Sequence, residues 1–258
     1  MMSMAHTLPE DVTTISATDG PWQDWDTFDR QIARYQRKKD QYPDAERWLV
    51  EQVFYSTHRK FLKEYTPHAS VEALIAEGQY DCVTGTWLMG VVYQRLGFTV
   101  TIREANFHVY LLLEGEEDEY VVEATDPKGG LYLGALAVQQ YEREMAIASE
   151  QDWLMVSQKQ DAAPFLRRHN VFKEVPLSAV PGLYYYNMAI AAMQEGDVTI
   201  AKDHLQEGLQ YYRSNRMEGF MNMLNEMTWE NLPQDKLLAD QAVKKYVATM
   251  QPLRPAQK

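Results

Sequence analysis

Between Thr27 and about Glu77, apolar residues recur at three- and four-residue intervals, the period of helices that bury one face. WDTFDRQIARYQRKK and DAERWLVEQVFYSTHRKFLKEY are two such stretches. The second has Asp44 as its N-cap candidate and Pro67 just past its end. SVEALIAEG predicts a short helix opened by Ser70 and stopped by Gly78. The next helix runs from Cys82 to Leu96 and is ended by Gly97. Val83, Trp87, Leu88, Met89, Val91, Val92 and Leu96 spread around most of its circumference, so it is buried on most sides and central to the fold. Thr84, Gly85, Thr86 and Gly90 keep its first turns slim enough for neighbours to approach closely.

From Phe98 the period changes to two. FTVTIRE, HVYLLLEG and EYVVEAT read as strands, and the polar EGEED between the last two predicts a hairpin. A four-residue turn from Glu114 to Glu117 sets Leu113 opposite Asp118 and, counting outward, His108 opposite Glu123 on one face. A one-residue shift brings Ala124 there instead. DPKGG at 126 to 130 breaks the sheet. A helix is expected from Leu136 through Met145, and the stretch from there to Phe172 has no dominant period. From Leu177 onward the pattern is helical. YYYNMAIAAMQEGDVTIAKDHLQEGLQYY forms two amphipathic segments around Glu195-Gly196-Asp197, a pair of the size of a tetratricopeptide unit. Tyr185, Met188, Ala189, Ala201 and Leu205 match its large and small packing positions, and the pattern continues poorly after Arg216. The chain thus predicts an α+β fold in three parts: a flexible tail over 1–22, a mixed domain over 23–173 and a tetratricopeptide-like helical region over 174–258.

Composition narrows the classes of function. The chain has 258 residues, 45% of them hydrophobic and 12% aromatic, which is ample for a folded core. A net charge of −12 is repelled by nucleic acids and by anionic membrane surfaces, so neither is an expected partner. The first residues lack a positive region followed by an apolar run, so no secretion signal is expected there. Apolar runs such as TWLMGVVY are too short to span a bilayer. One cysteine can form neither an internal disulfide nor a cysteine-based zinc site. No two histidines stand at metal-ligand spacing on a common face, and no phosphate loop or dinucleotide fingerprint is present. No cofactor or metal is therefore expected, and the cytoplasm is the default location.

The single cysteine sits where chemistry favours a thiolate. Unpaired N–H groups and the positive end of a helix dipole stabilise negative sulfur, and they also stabilise the oxyanion formed when that sulfur attacks a carbonyl. Asp81 beside it opposes this unless its carboxylate turns away to cap the helix. A cysteine nucleophile needs a base, and His108 opens the strand HVYLLLEG, where a side chain can face a cleft. The base needs an orienting group. Glu123 meets that need by register, and Asp126 reaches from beyond the strand end. Each residue also has a plain structural reading: Cys82 as a small core residue, His108 as a structural strand histidine, Glu123 as a solvated edge residue. His58, in STHRKF, reads as a solvated surface position, and His68, His169 and His204 have no partner motif.

YDCVTGTWLMGVVYQRLGFTV, NFHVYLLL and YVVEATDP, in that order, resemble the core of the transglutaminase-like superfamily of papain-type folds. The resemblance covers about residues 70 to 130. It implies a central cysteine-bearing helix packed on an antiparallel sheet, with Cys82 as nucleophile, His108 as base, and Leu96-Gly97 as the helix end. Glu123, before Ala124 and Thr125, matches the acid, with glutamate where the family usually has aspartate. Asp126 is the competing candidate, because DPKGG is similar to a DP…GG element in bacterial relatives that join this domain to tetratricopeptide-like helices.

Three functions follow as expectations. The first is an acyl-transfer enzyme acting on a protein or peptide amide through a thioester, either a hydrolase (peptidase or amidase) or a transglutaminase-type transferase. The second is a non-catalytic relative that binds a protein partner through its C-terminal helices. The third is a scaffold in which Cys82 is core.

Overall fold

A computed structural model describes residues 25–42, 45–106, 108–158 and 172–226. The tail expected over 1–22, the Asp44 cap and everything beyond Glu226 lie outside the described residues. The fold is mixed α+β. In chain order the elements are α1 (Trp25–Gln41), α2 (Glu46–Lys60), β1 (Glu64–Tyr65), α3 (Val71–Glu77), β2 (Gln79–Tyr80), α4 (Cys82–Arg95), β3 (Thr99–Glu104), β4 (Val109–Glu114), β5 (Glu119–Val122), β6 (Leu131–Leu133), α5 (Ala135–Gln158) and β7 (Lys173–Pro176). A single 3-10 turn, Leu177–Ala179, then leads to α6 (Val180–Gln194), α7 (Val198–Tyr211) and α8 (Asn215–Glu226). The chain forms two compact units that interleave along its length. One takes Met1–Arg103, Val109–Glu142 and Glu174–Pro181, and the other takes Glu104–His108, Arg143–Lys173 and Gly182–Lys258.

In the first unit, β1 and β2 form a short parallel pair, and the main sheet has the order β6-β5-β4-β3-β7. Strands of two or three residues are too short to show a period, which is why β1, β2 and β6 leave no signal in the sequence. The helix α4 packs against the central strand β4. Its burial from Val83 to Tyr93 is all-round, as its apolar distribution predicts. Two glycines make the close packing possible. A Cβ at Gly85 would lie 2.8 Å from the Tyr80 ring and 3.3 Å from the Ala124 Cβ, and one at Gly90 would lie 2.8 Å from Leu177. Tyr93, fully buried near the other end, donates to the Val50 carbonyl at 2.9 Å and ties α4 to α2. The preceding helix α3 is bounded as expected: the Ser70 side chain accepts from Ala73 N, and Gly78 takes the left-handed conformation (φ 77°).

The predicted hairpin forms with a different register. Leu113 pairs with Tyr120 and Glu114 with Glu119, and Gly115 N donates to Asp118 O, so only Glu116 and Glu117 form the turn. The expected pairing of Leu113 with Asp118, and of His108 with Glu123, is therefore off by two. Carried past the last paired residues, the observed register sets Glu123 level with Tyr110. A shift of two keeps alternate residues on the same faces, so Glu123 shares its side of the hairpin with Tyr110. The cause is remote. Glu46, buried in the first turn of α2, accepts from Glu116 N (2.6 Å), Glu117 N (3.3 Å) and the Tyr120 hydroxyl (2.8 Å). A carboxylate 70 residues away holds the turn.

In the second unit, α6, α7 and α8 share one core of Tyr186, Ala189, Ile190, Met193, Ala201, Leu205, Met217, Phe220 and Leu224. Asp197 caps α7 through Ile200 N at 2.9 Å, which is the break expected at Glu195-Gly196-Asp197. The apolar stripe of α8 joins this core even though its sequence continues the repeat poorly. The helix expected to end at Met145 instead runs on to Gln158. No helix among the described residues is long and apolar enough to cross a membrane.

Candidate active site

Cys82 is the first residue of α4 and is half-buried. Asp81 before it is 2% exposed, and its carboxylate is committed to the cap. Its Oδ1 accepts from Thr84 N (2.8 Å) and the Thr84 hydroxyl (2.8 Å), while Asp81 N donates to Thr84 Oγ1 (2.9 Å). This reciprocal capping box directs the aspartate charge at the helix N–H groups. The Asp-Cys-Val-Thr order thus fixes the helix start one residue before the thiol.

One turn further along α4, the Thr86 hydroxyl donates to the carbonyl of Val109 at 3.3 Å. A Cβ at Gly85 would lie 3.3 Å from the Ala124 Cβ, so this turn of α4 packs tightly on Ala124. Val109 follows His108 in the chain, and Ala124 follows Glu123. The first unit therefore brings the start of the cysteine's helix against the immediate neighbours of the other two candidates. His108 itself belongs to the second unit and is half-buried, and its carbonyl accepts from Ala105 N at 2.8 Å.

The two candidate acids differ sharply in setting. Glu123 is 6% exposed. Its Oε1 accepts from Thr125 N (2.9 Å) and Thr125 Oγ1 (2.5 Å), and its Oε2 accepts from the Tyr141 hydroxyl (2.9 Å). Burial and the Glu123 charge hold the Tyr141 hydroxyl firmly protonated, which keeps it a donor. Asp126 is exposed and organises its own loop, with Oδ1 accepting from Lys128 N (3.1 Å) and Gly129 N (3.0 Å). That loop closes back on the glutamate through Glu123 N to Gly130 O (2.7 Å) and Gly130 N to Asp126 O (2.9 Å).

His58 corrects the expectation of a solvated surface position. It is 6% exposed and edge-on to both Phe54 (4.7 Å) and Tyr80 (6.2 Å), and neither ring nitrogen has a hydrogen-bond partner among the described residues. Burial pushes its pKa down to about 4, against the pull of the Asp126 and Glu123 carboxylates. The imidazole is therefore neutral at physiological pH. Its helix ends in His58-Arg59-Lys60, a polar run that hides this burial in the sequence. Tyr141 was equally illegible, since it lies in a helix of weak amphipathic pattern. Among the described residues no group of three or more His, Cys, Asp or Glu could hold a metal ion. No protein-family model, curated protein or solved structure matches the chain.

Proposed function

We propose that the chain carries a thiol-dependent acyl-transfer site on a transglutaminase-like, papain-type core. Cys82 is the nucleophile, His108 the general base and then acid, and Glu123 the carboxylate that orients the imidazole. The observation that supports this most is the pair of contacts at the start of α4. Thr86 bonds the residue after His108, and Gly85 meets the residue after Glu123. A scaffold cysteine requires no such convergence of the three chain positions.

The chemistry follows from those roles. His108 takes the thiol proton as Cys82 Sγ adds to an amide carbonyl of a protein or peptide. The tetrahedral oxyanion is favoured by the positive end of α4. Collapse breaks the C–N bond, the leaving nitrogen takes the proton from His108, and a thioester to Cys82 remains. Water deprotonated by His108 then releases a carboxylic acid and restores the thiol. A primary amine in place of water gives a new amide instead.

Glu123 is favoured over Asp126 because its carboxylate is buried and rigidly held, whereas that of Asp126 is exposed and spent on its own loop. An electrophilic probe built on a peptide amide is expected to label Cys82, and His108→Ala to slow labelling about a hundredfold or more. Glu123→Gln should slow it more than Asp126→Asn, and the reverse ranking assigns the orienting role to Asp126. Equal labelling of wild type and His108→Ala would favour a non-catalytic, partner-binding protein.

A further inference from the structure

The segment that leads into His108 carries a set of polar contacts that the proposed reaction does not use. Glu104, the last residue of β3, is fully buried. Its Oε1 accepts from Arg216 Nη2 at 2.5 Å, and its Oε2 accepts a short hydrogen bond from the Tyr212 hydroxyl. The other arm of the Arg216 guanidinium, Nη1, donates to the backbone carbonyl of Asn106. Asn106 in turn donates through Nδ2 to Ser149 O (2.6 Å), and its N–H donates to Ser149 Oγ (3.4 Å). Ala105 between them donates to the His108 carbonyl. Arg216 lies over the Tyr186 ring at 4.9 Å, and the Lys173 ammonium lies over the Tyr212 ring at 4.5 Å.

Burying an ion pair of this kind adds little stability over an apolar pair of equal volume. What it does supply is geometry. A guanidinium is a planar fork, and here its two arms hold a side chain at 104 and a backbone carbonyl at 106. That fixes the path of the chain two residues before His108. The anchors come from α5 (Ser149), the end of α7 (Tyr212) and α8 (Arg216), which are otherwise remote in sequence.

We infer that Arg216 is a positioning residue: through Glu104 and Asn106, the C-terminal helices set the backbone that presents His108, and so tune the reactivity of Cys82. This rests on the proposed Cys82–His108 pairing. Its test is the pH profile of Cys82 alkylation by iodoacetamide in the full-length chain, where the thiol is the only one present. The variants are Glu104→Gln/Arg216→Met, which removes both buried charges together, and Arg216→Lys, which keeps the charge and loses the fork. Each is first checked for a wild-type circular dichroism spectrum and a cooperative melt. The folded double variant is expected to move its inflection toward an ordinary thiol's, near pH 8.5, and to alkylate about tenfold more slowly at pH 6.5. Arg216→Lys is expected to move part of the way, and it carries the test alone if the double variant does not fold. A folded variant with the wild-type profile overturns the inference while leaving the triad standing. A wild-type thiol that already titrates near pH 8.5 and ignores His108→Ala overturns the triad reading, and this inference with it.

Discussion

Two polar regions, one in each unit, are stitched in opposite ways. Around Asp81 and from Glu123 to Gly130, most hydrogen bonds join residues two or three apart: Asp81 with Thr84, Glu123 with Thr125, Asp126 with Gly129. Around Glu104 and Asn106 they span 43 to 112 residues. A local bond is made by a turn that has already formed, so its loss frays one helix end or one loop. A bond across a hundred residues exists only once the whole unit has folded, and its loss leaves a buried charge behind. The same number of hydrogen bonds therefore carries very different mutational risk in the two regions.

The largest expected effect comes from breaking the long-range region on one side only. Arg216→Ala strands the Glu104 carboxylate in a dry interior, and urea unfolding should show a loss of about 3–5 kcal/mol. Removing both charges with Glu104→Gln/Arg216→Met should recover much of it. If the two substitutions are additive, the charges do not act as a pair.

His58 sharpens the comparison, because it is buried with neither a local nor a remote hydrogen-bond partner among the described residues. Its pKa is depressed to about 4 in the folded chain, against about 6.5 unfolded. Between those values the unfolded chain binds more protons, so acidification removes stability across that window. The loss is on the order of 2–3 kcal/mol from pH 6.5 to 4. His58→Leu should flatten that part of the stability curve relative to wild type, and parallel curves for the two proteins would show that the imidazole is charged in the fold.

The smallest effect is expected in the locally stitched region. Asp81→Ala removes one cap and should cost about 1 kcal/mol, while Asp81→Asn or Asp81→Ser should restore most of it. A cost as large as that of Arg216→Ala would erase the distinction between the regions.

The contrast also explains what could be read from the chain beforehand. Ser70, Gly78, Asp81 and the Glu195-Gly196-Asp197 break are local signals, and the helices they bound stand where the pattern set them. The hairpin was legible as a hairpin, but its turn was not. Glu114 to Asp118 is uniformly polar apart from Gly115, so nothing nearby pins the register, and the residue that does so is Glu46. The burial of His58 and the Glu104–Arg216 pair were hidden for the same reason: each depends on partners that a sliding window never holds together. Of the candidate site, Cys82 at the helix start was readable. The separate settings of Glu123 and Asp126 were not, because a carboxylate's burial is decided by Tyr141 and by the closure of its loop.

The central claim, that Cys82 is activated by His108, is tested most directly by the pH dependence of Cys82 alkylation in wild type and in His108→Ala. The chain has one thiol, so the rate reports that residue alone. The expected result is a wild-type inflection at least one pH unit below that of an ordinary thiol near 8.5, returning to about 8.5 in His108→Ala. Identical profiles in the two proteins, both inflecting near 8.5, would contradict it.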